Sequence, residues 1–245
     1  MKKIALTLCL AFFAAAGAQA QTLKNLTKGA KDLLGGSKDL SASEIGQGLK
    51  DALSKGVDRG VRELSATDGY FRSMYKILLP EEAQKVTAKL KAVPGFAGLE
   101  ADLIEKMNRG AENAAREAGP IFVSAITSMT IQDAMDILMG ADNSATIYLR
   151  KSTYQLLYEK FNPVIVKALD EIGANALWRD ASTAYNRLPL VTRVTTDLDD
   201  HVTTKALDGL FGKIQEEEKN IRRNPVSRSS DLLKRVFSKQ DGNRN

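Results

Sequence analysis

Ile45, Leu49, Leu53, Val57, Val61 and Leu64 recur at spacings of three and four residues, with polar and charged residues between them. That period lays one apolar stripe along an α-helix of about 20 residues. Ser41-Ala-Ser-Glu44 has capping-box form, a hydroxyl for the third amide and a carboxylate reaching back. Similar punctuation predicts the later helices. Pro80 with Glu81 and Glu82 opens the second, because proline suits the first helical position and acids suit the positive helix end. Val93-Pro94-Gly95 closes it. A third helix is expected from about Ala97 to Ala118, interrupted at Gly119-Pro120 and resumed from Ile121 to Met129. Thr130-Ile-Gln-Asp133 caps a short helix ending at Gly140. Another runs from about Asn143 to Phe161, where Asn162-Pro163 predicts a break or kink and a restart. The remaining helices are expected from about Ala174 to Leu188, Asp197 to Arg223 and Ser229 to Phe237.

Between the first two helices, Tyr70 to Leu79 is aromatic and apolar without a clean period, and it reads as a packed connection. Nowhere does the two-residue alternation of strands and hairpins persist. No repeat with a period of roughly 20–50 residues is visible. The predicted fold is all-α, an irregular multi-helix bundle of about seven to nine helices.

Stepping about 100° per residue from Leu99 brings Leu103, Met107, Ala111, Ala114 and Ala118 onto one face. So much alanine lets a neighbouring helix approach closely, which predicts a central position. Glu105, Arg109, Glu112 and Arg116 fall opposite, as two Glu-to-Arg pairs at i,i+4, the pattern of a solvated face.

The ends carry different signals. Met1 to Gln21 combines Lys2 and Lys3, an apolar run from Ile4 to Ala16, and Ala18-Gln19-Ala20. This is the form of a secretory signal peptide, too short to span a bilayer, and it predicts cleavage after Ala20 and a periplasmic or secreted protein. Cys9 is the only cysteine. A lipobox reading of Leu6-Thr7-Leu8-Cys9 would make a lipoprotein but leave a signal of only eight residues. Residues 21–40 are rich in lysine and glycine and read as a flexible tether. The helical domain is expected over residues 41–238, followed by a disordered tail over 239–245. Without Lys2 and Lys3 the formal charge falls from +5 to +3. From Lys219 to Asn245 there are eight Lys/Arg against two Asp. Such a tail is either a solvated terminus or an attractor for anionic lipid.

Catalytic and cofactor patterns such as G-x-S-x-G, H-E-x-x-H and nucleotide-binding glycine loops are missing. His201 is the only histidine. Asp197 and His201 share the i,i+4 spacing of a metal pair, but the aspartates from Asp197 to Asp200 suit helix capping better, and zinc needs more His or Cys than this chain has. No metal and no cofactor are expected.

Glu216, Glu217 and Glu218 interrupt the long helix that begins near Asp197. On its wheel Glu216 and Glu218 fall at the rims of the apolar face, as ordinary surface positions, with Arg222 four residues beyond Glu218. Glu217 falls inside that face, between Leu210 and Ile221, where either helix fraying or a gap in packing leaves it wet, or a cation must pair with it. Arg150 falls likewise among Ile147, Tyr154, Leu157, Tyr158 and Phe161 on its own helix. Two opposite charges on apolar faces predict a largely buried Arg150 bonded to a carboxylate, with Glu217 the favoured partner. Arg150 and Glu217 are the candidate binding or structural ion-pair residues.

"MNRGAENAAREAGPIF" (Met107 to Phe122), "ATIYLRKST" (Ala145 to Thr153) and "TKALDGLFGKIQEEEKNIRRNPVSRSSDLLKRVF" (Thr204 to Phe237) resemble the bacterial domain-of-unknown-function family 4197. The resemblance implies an exported, predominantly helical protein and carries no catalytic residues. The leading expectation is a non-enzymatic envelope protein that binds a protein or lipid partner through a helical groove. No nucleic-acid partner and no transmembrane segment after signal cleavage are expected. One alternative is a carboxylate-dependent hydrolase or lyase with Glu217 as acid or base. Another is an anionic-membrane-surface binder using the basic C-terminal segment.

Overall fold

In the computed structural model, residues 41–194, 197–228 and 231–241 are described. The expected signal peptide and tether lie outside them. Nine α-helices run through the described residues: α1 (Ala42–Ser65), α2 (Glu81–Leu90), α3 (Leu99–Ala115), α4 (Ala118–Ser128), α5 (Ile131–Met139), α6 (Ser144–Glu171), α7 (Ala174–Asn186), α8 (Leu198–Arg223) and α9 (Asp231–Asp241), with a 3-10 turn at Pro225–Ser227. No strand occurs among these residues, and the chain is an all-α multi-helix bundle.

Helix starts follow local chemistry. The Ser41 hydroxyl accepts from the Glu44 amide while the Glu44 carboxylate accepts from the Ser41 amide. Thr130 and Asp133 repeat that box on α5. Asp197 caps α8 by accepting from the amides of Asp199 and Asp200. Each satisfies donors that a helix start leaves open.

Three boundaries differ from expectation. The break after α3 comes at Arg116–Glu117, ahead of Gly119-Pro120. Pro120 then sits in the first turn of α4, where its missing N–H has no helical acceptor to lose. Asn162-Pro163 does not end α6, which continues to Glu171. Pro163 and Glu159 are exposed, so the carbonyl that loses its donor faces water while Phe161 and Ile165 stay buried. Helix α9 extends to Asp241, past Phe237 and into the expected tail.

The core is organised around α6 and α8, the most extensive helix pair, with α3 packed on α6 and α1 crossing α8. Leu103, Met107, Ala111, Ala114 and Ala118 are fully buried, so the alanine-rich face is indeed a central seam. Helix α2 packs on α7, and α9 on α1.

The connection from Ala66 to Leu79 crosses α8 where that helix lacks side chains. A Cβ at Gly209 would stand 2.8 Å from a Tyr70 ring carbon, closer than packed atoms come. Tyr70 is fully buried, and its hydroxyl donates to the Ala206 carbonyl at 2.7 Å. Gly69 is also required by space, since a Cβ there would run into the carbonyls of Glu63 and Leu64 at the end of α1.

Candidate functional site

Glu217 is only 5% exposed, so the wheel placed it correctly. Its partners are not the expected ones. Arg59 of α1 donates to Glu217 at 3.0 Å, and Lys213, one turn earlier on α8, approaches it at 3.4 Å. Lys213 also meets Glu63 at 2.7 Å and Glu216 at 3.1 Å. Burial works against its ammonium, yet the bonds to Glu63 and Glu216 hold its pKa above the ordinary lysine value. Tyr75 donates to Glu216 at 3.0 Å, and burial together with that bond pushes its phenol up to about 12. The network is thus three carboxylates shared by two cations where α1 crosses α8.

Arg150 lies elsewhere. It bonds Asp208 at 2.6 Å and is 46% exposed, stacked over Tyr154 and Phe211. It does bond a carboxylate, but it is neither largely buried nor the partner of Glu217. Asp208 precedes Glu217 by nine residues, a rise of roughly 13 Å along a helix. The buried face of α6 is carried by Leu149, Thr153, Leu157, Phe161 and Ile165, which turns the tyrosine stripe and Arg150 to its edge.

Glu218 and Arg222, expected at the surface, form the most deeply buried ion pair described. Arg222 is 1% exposed and donates to Glu218 at 2.9 Å. Glu218 also accepts the amides of Ala145 and Thr146 at 3.0 and 2.8 Å, and the Thr146 hydroxyl at 2.7 Å. Those amides are the first turn of α6, whose own N-cap residue Asn143 supplies no side-chain bond. Arg222 in turn donates to the carbonyls of Ile137 and Leu138, in the last turn of α5. A carboxylate meets a helix start and a guanidinium meets a helix end, each on the side its dipole favours. Of the basic C-terminal residues, Arg222 and Arg228 are therefore buried, both near the Phe237 ring, and Arg223 pairs with Asp142. That leaves less free positive charge than the sequence suggests.

The charged face of α3 is likewise not solvated throughout. Glu112 is buried and accepts the amides of Tyr70 and Phe71, both at 3.2 Å, while Arg109 bonds Glu112 at 2.9 Å and Asp68 at 2.8 Å. The expected Glu105–Arg109 pair is present at 3.4 Å. Burial, with Glu112 beside it, pushes the Tyr70 phenol upward. Asn108, fully buried, clips the backbone of Ile77 from both sides, accepting from its N–H and donating to its carbonyl, both at 2.8 Å. The Ala66–Leu79 connection is therefore a ridge fastened at Tyr70, Phe71 and Ile77.

On this fastened ridge Met74 is 83% exposed and Leu78 56%. A cavity of about 430 Å³ lies between it and α8, lined by Met74, Tyr75, Leu78, His201, Lys205 and Asp208. His201 Nε2 shares a hydrogen bond with the Leu78 carbonyl at 2.8 Å, joining ridge to α8. A second cavity of about 410 Å³ opens on the other side, towards α2 and α3. Lys76 lines both. Residues 70–79 had shown only their aperiodic apolar character in the sequence. Among the described residues no group of His, Cys, Asp and Glu is arranged to hold a metal ion.

Residues 39–238 match the family described as "Protein of unknown function (DUF4197)", and the chain belongs to it. No curated protein and no solved structure shows significant similarity. No single helix among the described residues is long and apolar enough to cross a membrane.

Proposed function

We propose that this family member is an exported, non-enzymatic binding protein whose recognition face is the ridge of residues 70–79 beside α8. One observation carries the reading. Met74 and Leu78 expose large apolar side chains from a segment whose flanks are pinned by Tyr70, Asn108 and Glu112. Ordered apolar groups held out to water beside a cavity suit partner capture, because little ordering remains to be lost on binding. The buried carboxylates support a structural role for the charges: Glu112, Glu217 and Glu218 each bond cations, backbone amides or both. The acid–base alternative for Glu217 would need a carboxylate free to exchange a proton with substrate, whereas Arg59 and Lys213 hold it.

Export rests on the signal-peptide form of residues 1–20, with Gln21 as the mature N-terminus. Intact mass of the protein from the periplasmic fraction tests it, and a diacylglyceryl adduct on Cys9 would overturn it. Photo-crosslinking residues placed at Met74 and Leu78 in the producing cell test the recognition face. A discrete adduct is expected at these positions and not at exposed Glu159 on α6. Equal labelling at all three would remove the ridge from consideration.

A further inference from the structure

The second cavity, on the opposite side of the ridge from Met74 and Leu78, has a chemistry of its own. We propose that it binds a small amphiphilic monoanion, a carboxylate or similar singly charged head on a short apolar body. Its volume of about 410 Å³ lies in the range of small-molecule sites, roughly 300–1,000 Å³. Phe71, Phe96 and Ile104 supply apolar wall. The space stays open because Ala97, Gly98 and Ala101, where the α2–α3 connection enters α3, carry too little side chain to fill it.

The head would meet Lys76 and Lys91. Lys76 stands with its ammonium 4.7 Å from the centre of the Phe71 ring, and Lys91 follows the last residue of α2. Among the described residues neither lysine forms an ion pair, and both are exposed. Glu100 on the same lining leaves one net positive charge, matched to a monoanion. The first turn of α3 already carries Glu100 and Asp102, which complement its positive end, so the attraction for the head rests on the two lysines. An amphiphile satisfies both halves of the cavity, where a bare inorganic anion would leave the apolar wall wet and a neutral hydrocarbon would leave the lysines unmatched.

This site shares Phe71 and Lys76 with the ridge but not Met74 and Leu78, so separate probes test the two readings. The test titrates the mature chain, residues 21–245, with octanoate, 1-octanol and octyltrimethylammonium, followed by calorimetry and by amide chemical shifts. Saturable binding of octanoate is expected, with shifts centred on Ala97, Ala101 and Ile104, at least about tenfold tighter than 1-octanol and without binding of the cation. The K76A/K91A double variant should weaken octanoate by about tenfold, the effect of two exposed charge contacts. Ala101→Phe should block the site by filling it while the melting curve stays unchanged. Octanoate that fails to saturate, 1-octanol that binds as tightly, or shifts centred on His201 and Lys205 would each overturn the proposal. If octanoate fails while crosslinks at Met74 still form, the anion site falls and the partner-binding reading stands.

Discussion

Arg222 donates to Glu218 at 2.9 Å with both side chains buried, and this one pair joins three helices. Through Glu218 it closes the start of α6, and through Arg222 it closes the end of α5. Two helix ends that lack side-chain caps of their own at these positions are completed by a third helix distant in sequence. The pair is therefore a fastening of tertiary structure, and its loss should be felt globally.

Glu218→Ala and Arg222→Ala should each destabilise the protein by about 3–5 kcal/mol, because each leaves the other charge buried without its partner. The double variant should cost less than the two together, since the two side chains interact directly. Urea unfolding of the four proteins measures this. Strict additivity would show that the charges act independently.

Glu217→Ala should cost about 1–3 kcal/mol, as Lys213 keeps Glu63 and Glu216. Arg150→Ala should cost only about 0–1 kcal/mol, because its pair with Asp208 is nearly half exposed. Combined, the two changes should add to within about 0.5 kcal/mol, as expected for separated sites without a shared partner. A larger coupling would mean that the two charge sites communicate.

Gly209→Ala should destabilise despite the better helix propensity of alanine. Propensity alone favours the change by about 1 kcal/mol. The new Cβ would press on the Tyr70 ring, and overpacking of a filled core costs about 1–3 kcal/mol. A rise in melting temperature would show that the ridge yields easily.

Asp199 has one carboxylate oxygen buried without a hydrogen-bond partner. Burial raises its pKa against a lowering bond from Asn175, with Asp197 and Asp170 adding to the rise. A carboxyl raised in the folded state favours folding below its unfolded pKa, and that contribution is lost as pH rises through the folded value. Asp199→Asn should therefore be more stable than the parent at neutral pH, with the advantage shrinking in acid as Asp199 takes up its proton. Urea midpoints across that range test it. An advantage independent of pH would assign the effect to something other than charge.

Local chemistry decided most of the fold. The three- and four-residue apolar periods and the boxes at Ser41 and Thr130 depend only on neighbours within a turn or two, so helix identity was legible in the sequence. So was the place of Glu217 on the apolar face of its helix, but not whether it stays wet or which cation it meets. Tertiary structure decided which charges are wet. A wheel assumes one apolar face and one solvent face, but α8 is covered by α1, α6 and the ridge, so Glu218 and Arg222 at the supposed rim meet other helices instead of water. Glu112 is buried for the same reason, by a connection whose path no periodicity encodes. The pairing of Arg150 with Asp208, and of Glu217 with Arg59, follows from how far helices slide along one another. That offset is set by the sum of many side-chain contacts and by where Gly56, Gly60 and Gly209 allow close approach, which one helix read alone does not contain.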